Sequence, residues 1–578
     1  MAAHAWRQGC RWEIAPQYDG ASELGRRLGT APLVAQLLFN RGLSDEGAAK
    51  SFLNPSLNDL HDPQLLPGTD AAAQRIAAAI KAGEKIVIYG DYDVDGITAV
   101  AILHSLLKML GATVGYYVPH RIEEGYGVNS AAVKKVVETG AKLMITVDCG
   151  ISADGPLEEA AAAGLDVIVT DHHGLGDKLP RAVAIVHPAN YPNPDLAGAG
   201  VAFKLAWQVA RVVGGNTRVD AAMREFLLEA TCLAALGTIA DVVPLVGENR
   251  VLATFGLRGL PSCKRPGIRA LLDSAGLGNG KLDAYDVGFK LAPRINACGR
   301  MGHARLAVEL LTSADDKKCR EIAQYLIGQN EERQKVERAI AQQATDMVVA
   351  KGMDKPECRA IVLSSDTWHS GVIGIVASRL VGRFHRPAIL LAINGEGSAQ
   401  GSCRSISGFH MRDALAACGK HLVGFGGHAM AGGLRIQTAD IQAFTDAMME
   451  HAAGKISCEQ LTPSLRLDAE ATLAQLNHNC VEHLSRLAPF GQGNPPPMMA
   501  IRSCRVLSGA KRIGQNGKTV MMTLGQEGAT MRAVGFSMGD LADQLAGINT
   551  IDVAAQPVIN NFNGRSSAEL QLHDVQWE

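Results

Sequence analysis

The chain has no surplus of positive charge. Its 58 acidic and 56 basic residues give a formal net charge of −2, without the basic footprint of a protein that coats nucleic acid. Any nucleic-acid site has to be local. No run of about 18 apolar residues occurs, so no membrane span is expected. The opening MAAHAWRQGC lacks the apolar core of a secretory signal. The twelve cysteines are scattered singly from Cys10 to Cys504 with no C-x-x-C pair, which argues against a zinc ribbon or a thioredoxin-type site. Unpaired thiols without an export signal point to the reducing cytoplasm. Aromatic residues make up only 5%, so a base-stacking surface would have few members. What remains is an ordinary globular composition, 47% hydrophobic and 20% charged over 578 residues, enough for about four domains at roughly 150 residues each.

The pattern along the chain is α/β and multidomain. Residues 1–70 read as a small helical lead-in followed by a Pro-rich strap. AAAQRIAAAIKA (residues 71–82) reads as a helix ended by Gly83. From Lys85, four apolar strand-like runs alternate with helical runs at 97–110, 130–138 and 153–163. These strands are KIVIYG, the run at 113–118, KLMITV and DVIVT. Continuous apolar strands between helices predict a parallel sheet covered on both faces. This first domain spans residues 71–312 and turns largely helical in its second half. Residues 313–354 form the next segment. From Ser313 to Lys351 it is charged and proline-free, with Gly328 as its one glycine. We expect one long helix, on the order of 55 Å at about 1.5 Å per residue, rather than a hairpin broken at Gly328. A second α/β unit, residues 355–456, carries the strands IVLSS, AILLAI and SAQGSCRSI and a helix at 372–384. Residues 457–578 read as many short strands with turns, a small β-barrel or sandwich.

The densest chemistry lies in Gly90-Asp91-Tyr92-Asp93-Val94-Asp95-Gly96, directly after KIVIY. Carboxylates at alternate positions repel one another, which raises at least one pKa unless hard cations intervene. A calcium loop of the EF-hand type would need a glutamate at its twelfth position; here that position is Ile102. The next two strands end in Asp148-Cys149-Gly150 and Asp171-His172-His173. Ligands of an open parallel sheet sit outside the carboxyl ends of its strands, so these groups should converge on one rim. Asp241, in the apolar setting ADVVPL, is a fourth element, since a carboxylate there needs a partner or a metal. Six or seven oxygen and nitrogen ligands suffice for two divalent ions, the arrangement that suits phosphoryl transfer. The residues alone predict a di-metal phosphoesterase.

DYDVDG, VDCG, Asp171-His172-His173 and ADVVPL resemble the motifs of the DHH phosphoesterase superfamily. GSCRSISGFHM and FGGHAMAGGL resemble its DHHA1 substrate-binding domain, and LAPFGQGNPPP is similar to a junction in the RecJ branch. The resemblance covers nearly the whole chain, in order. It implies a parallel-sheet DHH core, a long linker helix, a DHHA1 α/β lobe and a C-terminal OB-type β-barrel. It further implies a single-stranded-DNA-specific 5′→3′ exonuclease that releases mononucleotides in recombination and repair and depends on two Mn²⁺ or Mg²⁺ ions. The implied ligands are Asp91, Asp93, Asp95, Asp148, His172 and Asp241, with Asp148 bridging. His173 would contact the scissile phosphate or assist proton transfer. Asp171 would orient the histidines. Single-strand-binding protein and a DNA helicase are the expected partners. A phosphodiesterase for short oligonucleotides or cyclic dinucleotides is the alternative within the superfamily, and the C-terminal barrel argues against it. A non-catalytic scaffold is disfavoured because every motif carboxylate is present.

Other residues are candidates for holding the strand. Arg121, beside the metal rim, could pair with a phosphate as a bidentate fork; the resemblance puts this segment near the 5′ end of the strand, which implies the terminal phosphate for Arg121 and base or sugar stacking for Tyr126. Asn296 and Arg300 lie in a segment expected to face the DNA. Ser402 and Arg404, two apart on a strand, point the same way and would grip a phosphate. Gly427 and His428 belong to a Gly-rich clamp whose backbone amides can approach closely. His369 precedes a helix N-terminus, which favours anions. On the barrel, Lys511, Arg512, Lys518 and Arg532 are the cations, and Phe536 and Phe562 the few aromatics.

Overall fold

Side chains of the strand Ile86–Gly90 alternate between two cores. Ile86 and Ile88 join one, Val87 and Tyr89 the other, as the two-residue period of a strand requires. In the computed structural model, which describes residues 10–577 apart from 121–123, 217, 279, 301–302, 314, 396, 515 and 563, this strand is one of five in a parallel sheet. The order is Val114–Tyr117, Ile86–Gly90, Leu143–Val147, Asp166–Thr170, Ala184–Val186. Both Ile86–Gly90 and Leu143–Val147 are buried at every position. Helices Val94–Met109, Gly198–Gly214 and Ala221–Ala240 pack on one another over one face. Ser130–Glu138 and Asp154–Ala162 cover the other.

The first helix of this sheet starts earlier than its apolar pattern suggests, at Val94 rather than Ile97. Asp93 is its N-cap and accepts from the amides of Asp95 and Gly96. The cap draws the first turn back into the acidic motif.

Two compact units make up the chain. One gathers Lys50–Glu332 with Leu487–Pro495 and contains the sheet just described. The other holds the described residues up to Ala49, Arg333–Arg486 and those from Pro496 onward. Its α/β part is a five-stranded mixed sheet, ordered Gly424–Gly427, Ala431–Gln437, Ser398–Arg404, Ala388–Ile393, Ile361–Ser365. Its all-β part is a barrel. Met499–Ile513 pairs with Thr519–Gln526 on one side and with Thr550–Phe562 on the other, which closes the sheet. The expected short strands are in fact long, with 15, 13 and 12 residues in Met499–Ile513, Thr550–Phe562 and Arg565–Gln576. Register shifts between Ile501 and Cys504 and between Val506 and Lys511 absorb the turn-like residues as bulges.

The long charged stretch is one helix, Asp316–Ala350, of 35 residues, or about 52 Å. Gly328 leaves the helix unbroken, and a Cβ there would meet nothing within 4 Å outside the helix backbone. The lead-in differs from a self-contained piece. Arg11–Ile14 forms a parallel pair with Ser464–Leu467, a partner that no local pattern announces.

Glu337 on the long helix is buried, and its carboxylate pairs with Arg333 and with Arg379 of the helix Ser370–Phe384. Removing it leaves two guanidinium groups without their shared anion. Glu337→Ala is expected to cost about 3 kcal/mol and to lower the thermal midpoint followed by circular dichroism. An unchanged melting curve would show that this ion pair does not hold the helix.

Candidate metal centre

The parallel register brings three strand ends to one rim. Asp91 follows Ile86–Gly90, Asp148 follows Leu143–Val147, and Asp171-His172-His173 follow Asp166–Thr170. Asp241 arrives from another direction, as the C-cap of Ala221–Ala240. The Nε2 of His172 is the meeting point. It lies 3.1 Å from Asp148 Oδ1, 3.6 Å from Asp241 Oδ2 and 3.8 Å from Asp95 Oδ2. Three sets of ligand atoms fall within 4.8 Å: Asp91, Asp93 and Asp148; Asp148, His172 and His173; Asp95, His172 and Asp241. Asp148 and His172 each belong to two of them.

The backbone is bent to achieve this. Asp148 has φ 59° and Val242 φ 64°, a region L residues enter only when their surroundings impose it. Asp95 is fully enclosed, and its two oxygens accept from the amides of Gly198 (2.6 Å) and Ala199 (2.9 Å). These are the first amides of the helix Gly198–Gly214, whose positive end favours an anion. About two of the four lone-pair sites of this carboxylate stay available. A Cβ on Gly198 would stand 2.8 Å from Asp148 Oδ1, and one on Gly237 2.4 Å from Asp95 Oδ1. Gly198, Ala199 and Gly237 are site residues that the sequence pattern did not reveal. The signal available was the small-residue run AGAG opening a helix.

Burial and mutual repulsion act together on the carboxylates, with burial the larger cause. Burial first, then the charges of Asp95, Asp93, Asp91 and Asp241, push Asp148 well above the ordinary carboxylate range. Burial, Asp241 and Asp93 do the same to Asp95. Asp241 is pushed up to about 7 by burial and by Asp93. Burial, with the neighbouring His173, lowers His172 to about 4, so at neutral pH it is an unprotonated imidazole with a lone pair to give. Asp148 Oδ1 and His172 Nε2 are buried and make no hydrogen bond. Crowded carboxylate oxygens, one of them buried without a hydrogen-bond partner, fit hard cations such as Mn²⁺ or Mg²⁺, and the unprotonated imidazole nitrogen of His172 can add a further ligand.

His173 is held differently. Its Nδ1 lies 2.8 Å from Asp171 Oδ1, and the same carboxylate accepts from the amides of Ile151, His172 and His173. Burial works to raise the pKa of Asp171, but the His173 contact and these amides outweigh it and hold the group below its usual value. For His173, burial is outweighed by Asp171, and the imidazole pKa rises. Asp171 thus sits where an orienting carboxylate is expected. The Tyr126 hydroxyl lies 3.3 Å from the Asp148 carbonyl and 3.1 Å from His173 Nδ1, with the ring edge-on to His173. More than half of Tyr126 is exposed.

The remaining candidates fall into two groups. Asn296 Oδ1 accepts from the Val94 amide, which ties the helix Ala292–Arg300 to the acidic motif, and Arg300 ends that helix half-buried. In the other unit, Arg404 donates to Ser402 Oγ (3.3 Å). A Cβ on Gly374 of the helix Ser370–Phe384 would stand 2.8 Å from Ser402 Oγ and 3.3 Å from Arg404 Nη2. His369 caps that helix, its Nδ1 accepting from the Gly371 amide. Gly427 has φ 140° in the adjoining hairpin, and His428 donates its amide to the Ala431 carbonyl. Arg121 lies outside the described residues.

Two outcomes are expected for metal binding. A carboxylic acid must lose its proton to take an ion, so the high pKa of Asp241 makes Mn²⁺ affinity fall as pH drops from about 8 to 6, with protons released on binding. Calorimetric titration in buffers of different ionisation enthalpy reads both; a flat affinity without proton release would contradict the assignment. Gly198→Ala drives a methyl into Asp148 and should weaken Mn²⁺ binding by roughly 10- to 100-fold with little change in far-UV circular dichroism. Unaltered binding would show that the close approach is not needed.

Comparison with known proteins agrees with this geometry. Residues 85–235 match the DHH family, N-terminal domain, residues 357–454 the DHHA1 domain, and residues 467–574 the RecJ OB domain. The chain is 39% identical over 577 residues to the single-stranded-DNA-specific exonuclease RecJ of Bacillus subtilis, covering 98% of this chain and 71% of that protein. It is 34% identical over 572 residues to RecJ of Escherichia coli, covering 94% of this chain and 96% of that one. Its fold matches the crystal structure of RecJ from Thermus thermophilus in complex with Mn²⁺ with a TM-score of 0.84 at 32% identity, over 99% of this chain and 80% of that one. The Mg²⁺ complex of the Thermus protein gives 0.78 at 30%, over 98% and 78%. With all three domains matched in order and the acidic motifs gathered on one rim, this chain belongs to the RecJ family of single-stranded-DNA-specific exonucleases.

Proposed function

We propose that the protein degrades single-stranded DNA from its 5′ end and releases 5′-mononucleotides, in DNA recombination and repair. The observation that supports this most strongly is the convergence of five carboxylates and His172 at the carboxyl rim of the parallel sheet. Asp91, Asp93 and Asp148 would hold one ion; Asp148, His172, Asp241 and Asp95 would hold the other, with Asp148 shared. Bound Mn²⁺ or Mg²⁺ would supply an activated water and neutralise charge developing on the phosphoryl oxygens.

The chain's own groups position the strand and move protons. Asp171 orients His173 through Nδ1; Nε2, which lies 3.2 Å from the Tyr126 hydroxyl, would turn to the scissile phosphate or deliver a proton to the departing 3′-oxygen once the strand is bound. Water adds to phosphorus and loses a proton, the bond to the 3′-oxygen of the terminal nucleotide breaks, and that oxygen gains a proton. Tyr126, exposed beside His173, offers a face to the terminal base or sugar. Arg121 is assigned to the terminal phosphate. Asn296 steadies the acidic motif through the Val94 amide, and Arg300 adds a cation to the DNA path. Ser402 and Arg404, with His369, Gly427 and His428 near them in the fold, form a phosphate clamp for nucleotides further along the strand. A duplex must be opened before such an enzyme can act, so single-strand-binding protein and a helicase are the proposed partners. The twelve cysteines are free, and no helix among the described residues is long and apolar enough to cross a membrane; a cytoplasmic location accords with both.

The test is a time course on a long single strand labelled at either end, with Mn²⁺ or with EDTA, for the protein and for Asp148→Ala. Metal-dependent release of the 5′ label as mononucleotide is expected, together with a loss of at least about a thousandfold in Asp148→Ala, a drop of about 4 kcal/mol in transition-state stabilisation. Cleavage confined to dinucleotides, or full activity in the variant, would overturn the reading.

A further inference from the structure

The junction LAPFGQGNPPP has no place in the chemistry above, yet its first nine residues, Leu487–Pro495, pack with the DHH core. Arg250, 2% exposed, reaches across 237 positions of sequence to take hold of them. Its guanidinium donates to the carbonyls of Leu487 (2.9 Å) and Ala488 (2.8 Å), while Nε donates to the Phe52 carbonyl (2.9 Å). The planar group lies 3.8 Å over the Phe52 ring. Asn494, fully buried, closes the segment on itself by donating to the carbonyls of Leu487 and Pro489.

What the segment touches is the turn that carries Asp241. The Leu245 amide donates to the Gln492 carbonyl at 2.7 Å. Gly493 has φ 71°, and a Cβ there would stand 3.0 Å from Pro244 Cβ; one on Gly491 would stand 2.7 Å from Leu245 Cδ1. Asn249, next to Arg250 and fully buried, donates to the Pro244 carbonyl. Between these anchors and Asp241 sits Val242, at φ 64°. A β-branched residue in that region is a genuine outlier that neighbours must impose. Val242 is 63% exposed, so packing of its own side chain does not impose it. The constraint comes from both ends of the turn: from the helix Ala221–Ala240 upstream, and from Leu487–Pro495 downstream.

We infer that Leu487–Pro495 is a positioning element of the metal centre, which locks the turn that aims Asp241, and that Arg250 is the positioning residue that docks it. The inference rests on the reading of Asp241 as a ligand. Groups that orient a ligand without touching the ion typically change metal affinity by 10- to 100-fold when altered.

The test is Mn²⁺ titration of the full-length protein, read by the electron paramagnetic resonance of free Mn²⁺. Four variants are compared with it: Asp241→Asn, Gly493→Ala, Arg250→Lys and Gly276→Ala. Gly276 has φ 69° and a Cβ there would meet nothing within 4 Å, so its variant carries similar backbone strain in the same compact unit but away from the turn. Gly493→Ala and Arg250→Lys should each weaken the ion lost in Asp241→Asn by roughly tenfold or more, and Gly276→Ala should bind as the parent does. Parent-like affinity in Gly493→Ala and Arg250→Lys beside a loss in Asp241→Asn would overturn the positioning role and leave the metal assignment standing. No Mn²⁺ binding by the parent, or parent-like binding by Asp241→Asn, would overturn the metal assignment itself. If Gly493→Ala does not fold, Gly491→Ala, which presses only on Leu245, takes its place: weakened binding supports the positioning role, and parent-like binding overturns it.

Discussion

Like charges crowded at the edge of an apolar sheet are the constraint on which the rest of this structure depends. Asp91, Asp95 and Asp148 are buried, Asp93 and Asp241 half-buried, and burial together with the neighbouring carboxylates raises the free energy of the charged forms of Asp95, Asp148 and Asp241. Such a cluster persists only if the protein spends stability elsewhere to hold it. The means are visible. The amides of Gly198 and Ala199 stabilise Asp95 at the positive end of a helix. Asp93 accepts from the first amides of the helix it caps. Missing side chains at Gly198 and Gly237 let helices approach the carboxylates more closely than any Cβ allows.

The same requirement accounts for the two strained residues at the centre. Asp148 and Val242 both have positive φ; one is the carboxylate common to two ligand sets, the other follows the carboxylate that arrives from outside the sheet. A relaxed backbone at either point would turn the chain away from the cluster. Strain of this kind is stored at sites where geometry matters more than local stability. Opposite the carboxylates stands a neutral imidazole. Burial keeps His172 unprotonated, while Asp171 keeps the adjacent His173 inclined to hold a proton. Two neighbouring histidines therefore have opposite tendencies, one set by burial and the other by a buried carboxylate.

A good part of the architecture could be read from periodicity. Apolar runs ending in Asp91, Asp148 and Asp171-His172-His173 meant strands whose ends carry chemistry, and parallel pairing in register puts such ends on one rim. The uninterrupted charged stretch meant the long helix Asp316–Ala350. The pattern misled where a local signal was overridden. Asp93 looked like one more loop carboxylate and is also a helix cap, which moved the helix start to Val94. Turn-like residues in RSCRVLSGAKRI suggested short strands, but bulges carry the pairing through them.

Sequence by itself determined which residue types exist to bind ions and in what order along the chain, because spacing along a strand is a local property. It also determined the family, through motifs that keep their order over nearly the full length. The tertiary structure alone decided which groups meet. That Gly198 and Ala199 serve Asp95, that Arg250 takes hold of residues 237 positions away, and that Arg11–Ile14 finds Ser464–Leu467 are long-range pairings. Each is selected by the packing of the whole chain, and no local pattern encodes it, because the partners include backbone amides and carbonyls of the kind that nearly every residue carries.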